Sequence, residues 1–469
     1  MGITRAQRRF IRRNAFVTSV RFNAFLLLVL CAAIALCWAA LTEPSTTWLN
    51  WYLTIAWSLY LPAALVGTLR ICAKGDSLFT RSRYAGKTKK LVVFVIPSVA
   101  RHDTYPALVR VINSICSCAP RNLRAWRVDV VIDEGAEAQD ELCSFVTGKP
   151  HVRILIVPRS YATPSKTRNK ARANHYAAEV RQREGDARED AYIYHLDDDT
   201  HVGNDTIASI AEFIETKAGY YLLAQGVLTF PHELSPSLFC SMADSIRPAD
   251  DITRCGVFTG DLGSPLAGLH GEHMLVRASA EDKIGWDFGD TLVEDAHFGL
   301  AFARAYPGRS CVLNSFSYGA SPSRISDLVR QRTRWAAGLI GLVLGENDHP
   351  IALRIPIAYT LLCWLLLPFY FVGTVLVVSY ASGIDNTSPV VSWAILPWAF
   401  TFAYSIWQYI EGARINTIAS CVPGSFYLRA IMMVPYLYLF GIIEGYAGIC
   451  GLFKYIARDR RFEVIKKRT

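Results

Sequence analysis

The sequence predicts an α/β domain, a mostly parallel sheet with helices on both faces, held between apolar helices long enough to cross a membrane. Three observations carry that expectation. Short continuous β-branched runs alternate with helix-like stretches through the middle of the 469-residue chain. Uncharged apolar runs of about 20 residues, the length a bilayer requires, flank that middle. Charge is segregated: the two ends, residues 1–21 and 453–469, carry a net +11, and the remainder a net −2. Basic tails around a near-neutral middle fit an anionic membrane surface and argue against nucleic acid as a partner.

Taken in order, residues 1–21 hold six arginines and no acid. Residues 23–42 and 48–69 form the first two apolar runs. The first is longer than a signal-peptide core, and a second follows it closely, so the pair reads as an anchor. Arginines before it, and Arg70 and Lys74 after it, place both flanks in the cytoplasm with an external turn near Thr42–Thr47. Strands are expected at 91–96, 128–132, 152–157 and 191–196, with helices at 105–117 and 167–183 between them. Acidic residues recur where these strands end, and ligands of such sheets bind beyond the carboxyl ends of the strands.

Further apolar segments lie at 355–380, 391–410 and 428–452. Five spans would leave the basic C-terminus outside, against the positive-inside rule, so one segment is expected along the interface, or a span is hidden. Residues 336–345 are too short to span and suit the interface. The units are then 1–70, basic segment and two spans; 71–350, cytoplasmic catalytic domain; 351–452, transmembrane or interfacial helices; and 453–469, basic cytoplasmic tail. The expected location is an integral, multi-pass position in a bacterial plasma membrane or an internal eukaryotic one.

The twelve cysteines lack a second pair or histidine at metal-binding spacing and read as buried free thiols. No glycine-rich phosphate loop is present. Three carboxylates, Asp197, Asp198 and Asp199, directly follow a buried strand. Their mutual repulsion and desolvation would cost several kcal/mol without a cation. A divalent metal bridging a diphosphate removes that cost. Downstream, TLVEDAHFG (291–299) carries Glu294 and Asp295, and QRTRW (331–335) carries Gln331, Arg334 and Trp335. On a helix Gln331 and Arg334 share a face.

DxD, then ED, then QxxRW, in that order and between apolar helices, resembles the membrane-integrated family 2 glycosyltransferases with a GT-A (Rossmann-like) fold, over about residues 90–340. The membrane arrangement resembles that of cellulose and hyaluronan synthases. HLDDDT (195–200), LLAQGVLTF (222–230), LHGEHMLVRA (269–278) and GWDFGDTLVED (285–295) are most similar to the egghead-type β-1,4-mannosyltransferases. The resemblance implies an inverting transfer from a nucleotide-sugar donor, GDP-mannose, to a lipid-linked glycosyl acceptor, with Mn²⁺ or Mg²⁺ as cofactor.

It also implies roles. Asp133 contacts the nucleotide base. Asp197 faces the ribose and diphosphate, Asp199 ligates the metal with it, and Asp198 is the variable middle position. Lys166 and Arg168 lie near the donor. Asp295 is the catalytic base, for a displacement in which the acceptor hydroxyl loses its proton as it attacks. Glu294 orients it. Gln331 and Arg334 meet the leaving diphosphate, and Trp335 offers a flat face to the acceptor sugar. FEVIKK (462–467) is similar to the gating loop of cellulose synthases through Phe462, Val464 and Lys467, with Ile465 where that loop has threonine. His270 and His273 are not at zinc-protease spacing and read as acceptor-pocket or buried residues. A processive polysaccharide synthase using a UDP-sugar, and an inactive membrane scaffold, are the competing functions.

Overall fold

A computed structural model of the chain describes residues 48–345, 347–370, 395–420 and 426–459, and single positions 28, 31, 32, 372, 375 and 461. The basic segment 1–21, nearly all of the first apolar run, the turn at 42–47 and the motif residues Phe462, Val464 and Lys467 lie outside the described residues.

Eight strands form one sheet: β1 (Thr88–Pro97), β2 (Leu123–Asp133), β3 (Val152–Val157), β4 (Ala191–His195), β5 (His201–Val202), β6 (Leu223–Thr229), β7 (Met274–Arg277) and β8 (Ser310–Tyr318), in the order β3-β2-β1-β4-β7-β6-β8-β5. The four expected strands are β1–β4, all parallel, joined by crossovers through helices at Tyr105–Cys118 (α3), Gln139–Val146 (α4) and Asn169–Arg183 (α5). The run Val92–Ile96 is buried throughout because both faces are covered. Val92, Phe94 and Ile96 pack on the side of α3, and Val93 and Val95 on the side of α5.

The other half corrects the mostly parallel expectation, since the sheet as a whole is mixed. β7 runs antiparallel to both β4 and β6, and β5 antiparallel to β8. An apolar run shows that a strand is buried but not its direction, and β7 is only four residues long.

The apolar helices are α1 (Trp48–Ser58), α2 (Leu61–Lys74), α12 (Ile351–Leu365), α13 (Ile395–Ala419) and α14 (Phe426–Ile456). Between the sheet and these lie α6 (Asn204–Glu212), α7 (Leu238–Ala243), α8 (Ile246–Ile252), α9 (Ala278–Ile284), α10 (Glu294–Ala305) and α11 (Ile325–Leu344). Among the described residues two helical segments, Thr54–Leu78 and Pro435–Ile456, are long and apolar enough to cross a membrane, and Ile351–Leu365 is a shorter apolar helix. The expected span at 391–410 does not meet that test. Its helix, α13, continues into the polar stretch 411–419 and docks on the sheet domain, where Asn416 Oδ1 accepts from Phe230 N at 2.8 Å and Ser420 Oγ from His232 N at 2.9 Å. Residues 336–344 fall in the second half of α11 and Gly345 caps it, with Ile340 and Leu342 buried against α12. The buried thiol expectation is met at Cys118, Cys240 and Cys311, whereas Cys72 and Cys143 are exposed.

Candidate active site

β4 ends at His195, pairing with Met274 of antiparallel β7. Continuing that register two residues past the strand brings Asp197 opposite Glu272. The carboxylates of Asp197, Asp199 and Glu272 accordingly lie with oxygens within 4.8 Å of one another. Asp199 and Glu272 are buried, and Thr200 Oγ1 donates to Glu272. The middle aspartate, Asp198, instead accepts from Ser98 Oγ at 2.6 Å, on the loop after β1. A cluster of hard oxygen donors of this kind suits Mg²⁺ or Mn²⁺.

Beside it, Lys170 donates to Asp197 and to Gly271 O (2.8 Å). Burial alone would lower the Lys170 pKa, but the charges of Asp197, Glu294 and Asp295 outweigh it and leave it raised, so this ammonium stays protonated. Lys170 is the basic residue that KTRNKARAN brings to the site. Lys166 and Arg168 stand on the exposed loop before α5, which Asp287 holds through Ser165 N (3.0 Å) and Thr167 Oγ1 (2.7 Å). They are not among the residues that line the cavity. The basic string alone did not show which cation the helix start turns inward.

Asp295 sits in the first turn of α10. Its Oδ2 accepts from Gly271 N and its Oδ1 from Ala296 N, each at 2.8 Å, so two backbone donors fix the carboxylate. The neighbouring Glu294 is buried, and desolvation together with the Asp295 charge raises its pKa. Asp133, at the end of β2, lies at the cavity rim with its side chain 69% exposed, paired to Arg172 Nη1 at 2.5 Å. Arg172 and Glu272 were both absent from the sequence-based site. Register pairing, which places Glu272, is invisible before the strand partners are known.

On α11, Gln331 and Arg334 line the cavity one turn apart. Gln331 Oε1 accepts from Arg332 Nη1 at 2.9 Å, and Arg334 Nη1 reaches Leu292 O at 3.4 Å. The guanidinium groups of Arg247 and Arg332 lie 4.6 and 4.5 Å from the Trp335 ring centroid. Cations thus lie against the indole, which also lines the cavity. His270 pairs with Asp251; burial opposes its protonation, but the carboxylate prevails and raises its pKa. His273, buried against Tyr194 and Ser315 O, is held low, at about 4, by burial.

All of Asp133, Lys170, Asp197, Asp199, Glu272, Asp295 and Arg334 border one cavity of about 610 Å³. It continues between the apolar helices, where Tyr60, Trp364, Gln408 and Glu444 line it.

The family model described as "Glycosyl transferase family group 2" matches residues 192–407. A β-1,4-mannosyltransferase of Drosophila melanogaster is 24% identical over 391 residues, which is 80% of this chain and 79% of the relative. One of Caenorhabditis briggsae is 24% identical over 388 residues, 80% and 78% of the two chains. Among solved structures, a mannosyltransferase from Pyrobaculum calidifontis in complex with GDP-Man and Mn²⁺ aligns with a TM-score of 0.48 and 14% identity, covering 88% of this chain and 99% of that one.

Proposed function

We propose that this glycosyltransferase, which a family group 2 model matches over residues 192–407, moves mannose from GDP-mannose, with inversion and in β-1,4 linkage, onto a lipid-linked glycosyl acceptor at the cytoplasmic membrane face. The observation that carries the reading is the continuous cavity, in which a carboxylate cluster suited to a polar donor opens between helices suited to a membrane-held acceptor. The sugar and linkage rest on the relatives named β-1,4-mannosyltransferases.

Asp197, Asp199 and Glu272 would hold the Mn²⁺ or Mg²⁺, which supplies positive charge to the departing diphosphate. Lys170 and Arg334 add fixed positive charge nearby, with Gln331 beside them. Asp133 contacts the nucleotide base. Asp295 takes the proton of the attacking hydroxyl, its orientation fixed by the backbone donors of Gly271 and Ala296, and Glu294 orients the acceptor. Phe462, Val464 and Lys467 are assigned to the closing of the tail over the donor, where water exclusion limits hydrolysis. Trp335 acts through Arg247 and Arg332, as a cation-clamped wall of the acceptor path.

The passage of the cavity between helices also favours one second reading, a processive synthase using a UDP-sugar. Mass spectrometry of the glycolipid product separates the two. A single added hexose is expected; a ladder of repeats would establish the synthase instead.

A further inference from the structure

The part of the cavity between the apolar helices holds polar groups that the donor site does not use. Gln408, on α13, is 2% exposed and lines it. Its Oε1 accepts from Tyr60 Oη at 2.9 Å, while its amide Nε2 has no acceptor among the described residues. Tyr409, also buried and lining the cavity, makes no hydrogen bond among the described residues. Both residues line the cavity, and a donor that opens onto a cavity without a protein acceptor can bind a ligand oxygen.

The position on the helix adds a second argument. Residues 395–407 of α13 carry no charge, whereas Glu411, Arg414, Asn416 and Thr417 follow within nine residues of Gln408 and pack against the sheet domain. Gln408 therefore stands where the helix passes from an apolar stretch to a polar one that docks on the sheet domain through Asn416 and Thr417. The wall around it is aromatic and fixed. Tyr60 and Tyr404 lie 6.3 Å apart, and Arg254 bonds Asp250 on α8 while reaching Thr360 Oγ1 on α12 at 2.9 Å. Leu366, Leu367 and Leu437 continue the lining as apolar surface.

We propose that Gln408 and Tyr409 form the acceptor subsite: they bind hydroxyl groups of the sugar on a membrane-anchored glycoside that reaches Asp295 from the bilayer, between α2, α12 and α13. The amide and the phenol select the sugar, the aromatic walls take its apolar ring face, and the leucines take the first part of the lipid stem. The assignment rests on the acceptor being a glycosyl lipid, and makes Gln408 a specificity-determining residue.

The test uses the full chain in lipid nanodiscs, with and without GDP and Mn²⁺. Binding of a radiolabelled β-glucosyl lipid is compared with binding of its sugar-free aglycone. Wild type should prefer the glycoside by about tenfold or more, one to two hydrogen bonds' worth of affinity. Gln408→Leu should remove most of that preference and leave aglycone binding unchanged. Tyr409→Phe, which deletes a single hydroxyl and cannot itself disturb the packing much, should reduce it severalfold. The proposal is overturned if wild type does not distinguish glycoside from aglycone, or if folded variants keep the full preference. A preparation that prefers the glycoside yet releases no GDP from GDP-mannose upholds the subsite and removes only the donor assignment.

Discussion

At the scale of single residues the site is a balance of buried charge. Asp197, Glu294 and Asp295 act on Lys170, Asp199 and Glu272 lie beside Asp197, and Arg334 adds positive charge near Glu294. The strain shows at Glu294, whose pKa is raised by desolvation first and by Asp295 second. For such a group the stabilising contribution is full below the ordinary glutamate value and is lost as pH rises through the folded value. Glu294→Gln cannot ionise, so its melting temperature should match wild type near pH 4 and exceed it increasingly toward pH 8. Melting curves across that range, without metal, check this; a gap that shrinks with pH would contradict it. The carboxylates of DxD and ED were legible in the sequence because charge directly after a buried strand needs a reason. Lys170 lies in the same basic run as Lys166 and Arg168, and only the start of α5 decides which cation turns inward. Glu272 was hidden because its place depends on the pairing of β7 with β4.

At the scale of elements, α11 ties the site to the apolar helices. Arg332, the residue between the two named positions of QRTRW, donates to Asp244 beside α8 and to Glu444 of α14 at 2.8 Å, and lies over Trp335. Removing the cation from such a buried network leaves two carboxylates unpaired, which costs about 3–5 kcal/mol. Arg332→Met should therefore lower the melting temperature sharply, whereas Arg330→Met, two residues earlier and exposed, should change stability by no more than about 0.5 kcal/mol. Equal effects would show that the network is not what joins the two parts. The parallel half of the sheet, β1–β4, was readable from continuous β-branched runs. The mixed half, where β6 and β8 pair parallel but β7 and β5 run antiparallel to their neighbours, and the docking of α13 were not, because hydropathy reports burial but neither strand direction nor what a polar helix end packs on.

At the scale of the whole molecule, the glycosyltransferase class agrees with motifs spread over the chain, and the proposed substrates follow from how its two surfaces meet. A polar donor site and an apolar bundle sharing one cavity is an arrangement for joining a water-soluble sugar donor to a membrane-held acceptor. The order of apolar runs and acidic strand ends made that division visible in the sequence, but the continuity of the cavity emerges only when α2, α12 and α13 close around it. The most direct measurement is nucleoside diphosphate release by the purified chain with Mn²⁺ across a panel of nucleotide sugars and glucosyl-lipid acceptors, with Asp295→Asn alongside. The account predicts GDP release from GDP-mannose, stimulated by acceptor and lowered about 10²–10⁴-fold in the variant. Release from a UDP-sugar instead, or silence across the panel, would contradict it.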